Sequence, residues 1–583
     1  MISKTPQFDK ALEEYFAKLK VDEKGGQWRV CRFSGEKFYV RPEDIEFYKK
    51  IRVPLPTLSP SERSRRRMAY SPSYTFFKVK SALDGEPLIS VLPSTTQFKV
   101  YPHPYWFSHQ WDPTDFGVEP DHQRTFFAQF KELQLSVPRP NLNSHPANLN
   151  SDYTNNSAYL KNCYMTVDTV KGENLYYFDC CQDNKNCVDC WSVDLSDTCY
   201  KCWGARLWKC FFCQYTYDTT ESYFLFDCRN CEHCFMSANL RNKKYYFFNE
   251  PFTKEEYEKR VKAIDLGNYS VFHDYLKKYE ELKVGAIRKE NFNDPNNINS
   301  MGNWMWNSKN CFQVIYSDTN EDCAYSLGFY GYRDSYDVIG GVGGELCYEF
   351  MTMSTENNYG IKFSTFINNS RSLEYSDLMR NCHDCFGCIA LSDKSFCIFN
   401  KQYVEEEYWR TVDKLKTEML MRGEYGEFFP PDLSPHPYNY SLVTAYPGYD
   451  NFEEARKYGY RIEKVETETR ETAGLEVIPA SKLPSDIKEV DDSILEKAVL
   501  DEESGKKFRI TRYELDFYRT YNLPLPRIHP LIRMQQWRKN LDLRLRFYER
   551  KCVKCGKDIK TTYAPDRPEK NIWCEACYQS EII

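Results

Sequence analysis

Asn186-Cys187-Val188-Asp189-Cys190 and, twelve residues on, Thr198-Cys199-Tyr200-Lys201-Cys202 are two rungs of one repeat, and their spacing decides how the chain is read. Outward from them the same beat falls on Cys163, Leu175, Cys210, Ser222, Cys234 and Tyr246, with a single eleven-residue step before Cys210. The next position is aromatic in nearly every rung: Tyr164, Tyr176, Tyr200, Phe211, Tyr223, Phe235 and Phe247. Asn162, Asn174 and Asn186 precede three of the beats. Asn there suits a turn in which the amide bonds the nearby backbone or its own copy one coil away. A second run begins at Cys311 and passes through Cys323, Ser335 and Cys347 to Cys385 and Cys397.

A residue type recurring at one phase stacks on its own copies in a parallel ladder, whereas a meander would mirror the phase at each turn. The pattern therefore predicts a parallel β-solenoid. A twelve-residue coil encloses little space, and leucine-rich coils take about 20 to 29 residues. Two beats per coil are expected, with an antiparallel β-rich fold as the alternative. Adjacent side chains alternate between strand faces, so either the beat residue or its aromatic neighbour points inward.

The arrays sit inside larger duplications. Cys231, Cys234, Phe248, Asn249 and Tyr257 recur as Cys382, Cys385, Phe399, Asn400 and Tyr408, offset by 151. Cys163, Tyr177, Asp189, Cys199 and Tyr200 recur as Cys311, Tyr325, Asp337, Cys347 and Tyr348, offset by 148. At the chain ends Ser34, Gly35, Phe47, Tyr48 and Arg63 recur as Ser504, Gly505, Phe517, Tyr518 and Arg533, offset by 470. The predicted architecture is mainly β with helical caps: two tandem parallel β-solenoid-like repeat arrays flanked by zinc-ribbon-like modules. Residues 1–113 form a degenerate ribbon-like module, 114–262 the first array with its cap, and 263–300 a linker. Residues 301–424 form the second array with its cap, 425–495 a linker region, and 496–583 the C-terminal zinc-ribbon module. Thr253 to Ala263 and Glu405 to Leu420 read as capping helices, the first with Thr253 and Glu256 at capping-box spacing.

No apolar run approaches the roughly 18 to 20 residues of a membrane helix, and the first residues lack a signal-type apolar stretch. Twenty-four cysteines in 583 residues are too sparse for a disulfide scaffold. A reduced, cytoplasmic protein without a membrane partner is expected. The formal charge of −6 makes no whole-chain case for nucleic acid.

Cys187 with Cys190, Cys199 with Cys202, Cys210 with Cys213, and the triplets Cys228-Cys231-Cys234 and Cys382-Cys385-Cys388 have the gaps of metal knuckles. Neighbouring rungs put Leu, Ser or Tyr at the beat, which packing tolerates and ligation does not. Packed thiols are the expectation, and a metal at a triplet the alternative. Cys552, Cys555, Cys574 and Cys577 differ: two CxxC knuckles eighteen residues apart, with Gly556 after the first, predict a closed tetrahedral zinc site. Aligning Gly85 with Gly556 puts Ser81, Asp84, His103 and Trp106 at the ligand positions of the N-terminal copy, where no zinc is expected.

Cys31 with Ser34-Gly35-Glu36-Lys37-Phe38, then Phe47-Tyr48, Pro54-Leu55-Pro56 and Pro60 through Arg63, resemble the probable zinc-ribbon family whose pattern is CxxCGxxF, ExxFY, CPxCR. Joined to Trp106 through Pro113, Val137 through Leu142, and rungs ending in Cys385-Phe386-Gly387-Cys388 and Phe399-Asn400-Lys401, the chain resembles a zinc-ribbon and Asn/Cys/aromatic-repeat family predicted from candidate-phyla bacterial genomes. The resemblance implies zinc and brings no activity. Ser34, Ser59 and Glu62 depart from it at ligand positions.

Local charge gives the remaining partner signal. Arg63, Arg65, Arg66 and Arg67 lie together, and Arg533, Arg538, Lys539, Arg544 and Arg546 stand among Trp537, Phe547 and Tyr548. Basic residues beside aromatics and a ribbon suit contact with RNA, DNA or a ribonucleoprotein. A solvated amphipathic helix face accounts for the same residues without a partner. No phosphate-binding Gly loop, zinc-protease helix or nucleophile elbow occurs. The expected function is a non-enzymatic zinc-binding scaffold or interaction protein, with RNA, a ribonucleoprotein or a protein as partner. The rival is a polysaccharide-binding or polysaccharide-cleaving solenoid using carboxylates such as Asp189 and Asp337. Their matched places, two residues after a beat, favour a turn role instead.

Overall fold

The computed structural model describes residues 3–145, 147–352, 357–446, 448–464, 472–539 and 545–582. The chain is mostly β, with a closed parallel sheet in each repeat region. In the first, Cys210 pairs with Ser222, Tyr223 with Phe235 and Cys234 with Tyr246. In the second, Ile315 pairs with Leu327, Tyr336 with Tyr348 and Cys385 with Cys397. Neighbouring strands thus pair at one beat of twelve, where a unit of two beats was expected.

Corners make so short a return possible. Asn186, Asp189, Ser192, Leu195 and Thr198 all have left-handed backbone, with φ between 49° and 59°, and such corners recur every third residue. The residue after each corner faces inward: Cys187, Cys190, Val193, Ser196 and Cys199 are all buried. Most inward side chains are small, which suits the Cys and Ser of the beat, although Leu175, Phe178, Phe329 and Phe350 also pack inside. The gaps of the Cys pairs are therefore the length of one side of the coil.

Each left-handed corner costs a non-glycine residue roughly 1 to 2 kcal/mol, and two hydrogen-bond ladders offset this. Inside, the Ser222 hydroxyl donates to the Thr220 carbonyl at 2.8 Å and accepts from the Cys234 N–H at 3.0 Å, one coil on. The Cys187 thiol likewise donates to the Lys185 carbonyl at 2.9 Å. At the corners, the Asn174 amide donates to Asn186 at 2.9 Å, and Asn369 to Asn381 at 2.9 Å. These are the copy-to-copy bonds that the Asn spacing predicts.

The aromatic after each beat points outward and stacks on its copy, as in Phe211 on Tyr223 at 5.0 Å and Phe235 on Phe247 at 5.2 Å. Both arrays end alike. Phe248-Asn249 and Phe399-Asn400 each place two consecutive residues at positive φ, the signature of a tight hairpin turn, so the last strand folds back antiparallel. Helices Lys254–Lys262 and Glu405–Arg422 follow and pack on the final rungs. The Thr253 hydroxyl caps the first of these, accepting from the Glu256 N–H at 3.2 Å.

The two arrays pack side by side through Trp203 on Trp304 at 4.8 Å and Trp191 near Tyr316 at 5.9 Å. The terminal modules then dock crosswise, the N-terminal one on the second array and the C-terminal one on the first. Phe47 stacks on Tyr336 at 3.8 Å and Tyr48 meets Tyr348 at 5.4 Å, while Tyr518 meets Tyr200 at 5.8 Å. Helix Phe126–Ser136, placed by sequence with the first array, packs on the second through Phe126 against Phe386 and Phe399. The expected linkers contribute residues to the core: Tyr279 donates to the Leu225 carbonyl at 2.7 Å, and Phe428, Phe429 and Tyr438 are buried.

Candidate metal centre and the docking clasps

The C-terminal hairpin pairs Tyr548–Lys551 with Asp558–Thr561. Its turn carries Cys552 and Cys555, and Gly556 at φ 76° lets the chain reverse there. Gly556 N–H bonds the Cys552 carbonyl at 2.9 Å, and Cys552 N–H the Lys557 carbonyl at 2.8 Å. Cys574 immediately precedes helix Glu575–Ile582, and Cys577 lies in its first turn, where exposed helix N–H groups favour thiolate. The four Sγ atoms lie within 4.8 Å of one another, with Cys555 and Cys574 3.7 Å apart. Sulfurs placed tetrahedrally at about 2.3 Å from one ion would stand about 3.8 Å apart. Burial pushes the Cys552 thiol up, but main-chain N–H groups of Cys574 and Cys555 outweigh it and bring it down to about 6. The group could hold a metal ion, and four thiolates would close its coordination shell. Among the described residues no other set of three or more His, Cys, Asp or Glu gathers in this way. The Cys triplets of the arrays face the coil interiors, where Cys231 and Cys382 bond main-chain carbonyls.

Parallel pairing of Ile572–Trp573 with Arg288–Lys289 ties this ribbon to the chain between the arrays. The N-terminal copy repeats the arrangement, with Val100–Tyr101 paired to Arg139–Pro140. In that copy Ser81 stands for Cys552, and Gly85 N–H bonds its carbonyl at 3.0 Å. The paired strands match at an offset of 472, one more than the hairpin, so a one-residue length change brings Pro102 and Tyr105, instead of His103 and Trp106, to the second ligand pair. His103 bonds Asn141. The Gly35 and Gly505 turns have the same geometry, with N–H bonds to Cys31 and Asp501 carbonyls at 2.9 and 2.8 Å. The described residues therefore contain four knuckle turns of one design. Residue identity links them only in pairs; a Gly four residues after the first ligand position is the signal that joins all four.

Arg533 does not face solvent. It is 3% exposed, bonds the Asp189 carboxylate at 2.5 Å and lies over the Tyr177 ring at 4.8 Å. Tyr177 donates in turn to Glu514 at 2.8 Å. The equivalent residues repeat every contact: Arg63 bonds Asp337 at 2.9 Å and lies over Tyr325 at 5.3 Å, and Tyr325 donates to Asp44 at 2.7 Å. Arg67 also reaches Asp337, at 3.1 Å, and Glu349, at 3.1 Å; Arg66 reaches Glu427 at 3.0 Å, and Arg65 donates to Tyr438 at 2.8 Å. The basic cluster at 63–67 is buried glue between module and array. Burial raises the Asp189 carboxyl above its ordinary range, and Arg533 opposes that rise. Asp189 and Asp337 are corner residues at φ 55° and 57°, the turn role read from sequence.

No family model matches the chain, and no curated protein matches it.

Of the other basic residues singled out, Arg546 is partly exposed and 3.5 Å from Glu36. Arg544 and the side chains of Arg538 and Lys539 lie outside the described residues. No helix among the described residues is long and apolar enough to cross a membrane.

Proposed function

We propose that the chain is a non-enzymatic zinc-binding scaffold or interaction protein of the reducing cytoplasm. In this reading the arrays are two narrow β-solenoids of twelve-residue coils, held by four ribbon-type modules of which only the last carries zinc. One observation carries it: the Cys552, Cys555, Cys574 and Cys577 sulfurs gather at tetrahedral spacing in a closed set, which leaves no coordination position for water or substrate. Free thiols at all 24 cysteines fit a reducing compartment. The polysaccharide-cleaving alternative loses support, because Asp189 and Asp337, the carboxylates it would use, are buried against Arg533 and Arg63.

A nucleic-acid or ribonucleoprotein partner now rests on Arg538, Lys539, Arg544 and Arg546 without Arg533. Metal analysis of the purified chain tests the reading: one zinc per chain is expected, and two or more would sink it. For the partner, charge reversal at Arg538, Lys539 and Arg546 should flatten the salt dependence of binding to an unstructured oligoribonucleotide, by about 0.7 in the log-log slope for each phosphate left unneutralised. Failure of the wild-type chain to bind at low salt leaves a protein partner in its place.

A further inference from the structure

The four knuckle hairpins differ at one edge. In each, the residue after the first strand bonds back across the hairpin, as Cys31 N–H does to the Glu36 carbonyl at 2.8 Å. Counting back in twos, Trp28 and Val30, Lys78 and Lys80, Ala498 and Leu500, and Glu549 and Lys551 turn their main-chain groups to the outer edge. Such an edge is a template for another strand, and natural proteins blunt it with charge or cover it. Lys78, Lys80, Glu549 and Lys551 are exposed charges. Ala498 and Leu500 are covered by the strand Glu476–Pro479, in parallel register with Glu476 opposite Lys497 and Pro479 opposite Leu500. The first hairpin has neither protection. Its sheet has two strands among the described residues, and Trp28 and Val30 are 64% and 60% exposed.

We propose that the Gln27–Val30 edge binds an extended strand of another protein, acidic then apolar, in the parallel register that Glu476–Pro479 takes on the equivalent edge. Main-chain bonds would give affinity, and Trp28 and Val30 would flank the apolar side chains of the incoming strand. Charge selects the occupant. Residues 18–41 carry seven Lys and Arg against three Asp and Glu, which favours an acidic strand and disfavours the same basic edge of a second copy. The proposal rests on the reading of the chain as an interaction protein.

The probe is a labelled synthetic peptide with the sequence of residues 474–481, whose one charged side chain is Glu476, titrated into the full zinc-loaded chain. Saturable binding is expected, weakened about ten-fold or more in Trp28→Glu with Val30→Glu and by N-methylation of alternate peptide nitrogens. Both side chains are exposed, so the variant should keep its Tm and its zinc. Absence of saturable wild-type binding, or equal binding by the variant, overturns the proposal. So does a concentration-dependent dimer that the same variant abolishes, which would give the edge to a second copy. Zinc content read on the same samples keeps the outcomes apart: a failed titration with one zinc per chain removes the docking edge alone, and a wrong metal count removes the scaffold reading.

Discussion

The Cys552 and Asp501 knuckles share a turn but are held by different chemistry. At Cys552 four sulfurs converge on one point. At Asp501 a carboxylate spans the equivalent positions, accepting from the Ser504 hydroxyl at 2.7 Å and from the His529 N–H at 3.0 Å. The helix after His529 carries Arg533 into its pair with Asp189, whereas the helix after Cys574 meets Asp227 through Tyr578, midway along it. A ribbon can thus lose its ion where a carboxylate ties the same turn together, as Asp501 does.

The largest effect should come from removing the ion. Cys552→Ser with Cys574→Ser should abolish zinc binding and unfold residues 548–582 locally, since structural zinc contributes about 10 kcal/mol or more to such a fold. Hydrogen exchange should show the Asp501 knuckle still protected. Equal loss of protection at both would mean that they fold as one unit.

Next, Arg533→Met should leave Asp189 buried without its partner and cost about 3 to 5 kcal/mol, while Arg533→Met with Asp189→Leu should recover much of it. Denaturant unfolding checks both. Arg63→Met should cost less than Arg533→Met, because Arg67 also holds Asp337. A reversed order would deny that the two clasps are equivalent.

Acid should separate the knuckles further. Burial holds His529 down at about 3, and its Nδ1 accepts from the Leu531 N–H at 3.2 Å, so it is neutral in the fold. Between about pH 6.5 and 3 the unfolded chain binds the proton and the folded chain does not. Stability is then complete above about 6.5 and falls by up to about 1.4 kcal/mol per pH unit below it. Unfolding measured against pH should lose this slope in His529→Gln.

The smallest effects belong inside the coils. Cys347→Ala should cost about 1 to 2 kcal/mol without changing metal content. Cys347→Ser should cost less, because Ser335 fills the same place one coil earlier and its hydroxyl accepts from the Cys347 N–H at 3.0 Å.

Local spacing made the twelve-residue beat, the duplications and the four thiolates legible. The coil length was not, because enclosed space alone says nothing of corners every third residue. That shorter period is written in Cys187, Cys190, Val193 and Ser196, and in the triplet Cys228, Cys231 and Cys234, but it looks like a metal motif when read pairwise. The arginines misled for another reason. Their carboxylates lie 274 residues away for Arg63 and 344 for Arg533, beyond any window in which charge pattern is read. Two separate duplications held the clue, since Arg63 matches Arg533 just as Asp337 matches Asp189.

The crosswise docking has a consequence for how the chain is made. A ribosome adding about 5 to 20 residues per second releases the helix Pro60–Met68 long before Asp337 and Glu349 exist. For some tens of seconds Arg63, Arg65, Arg66 and Arg67 must stay hydrated on a nascent segment whose seat has not been translated. The C-terminal module meets the opposite situation, emerging after the first array is already complete. Stalled or truncated products ending before residue 337 would therefore display a compact arginine cluster that the finished protein hides, a ready mark by which quality control could tell the unfinished chain from the whole.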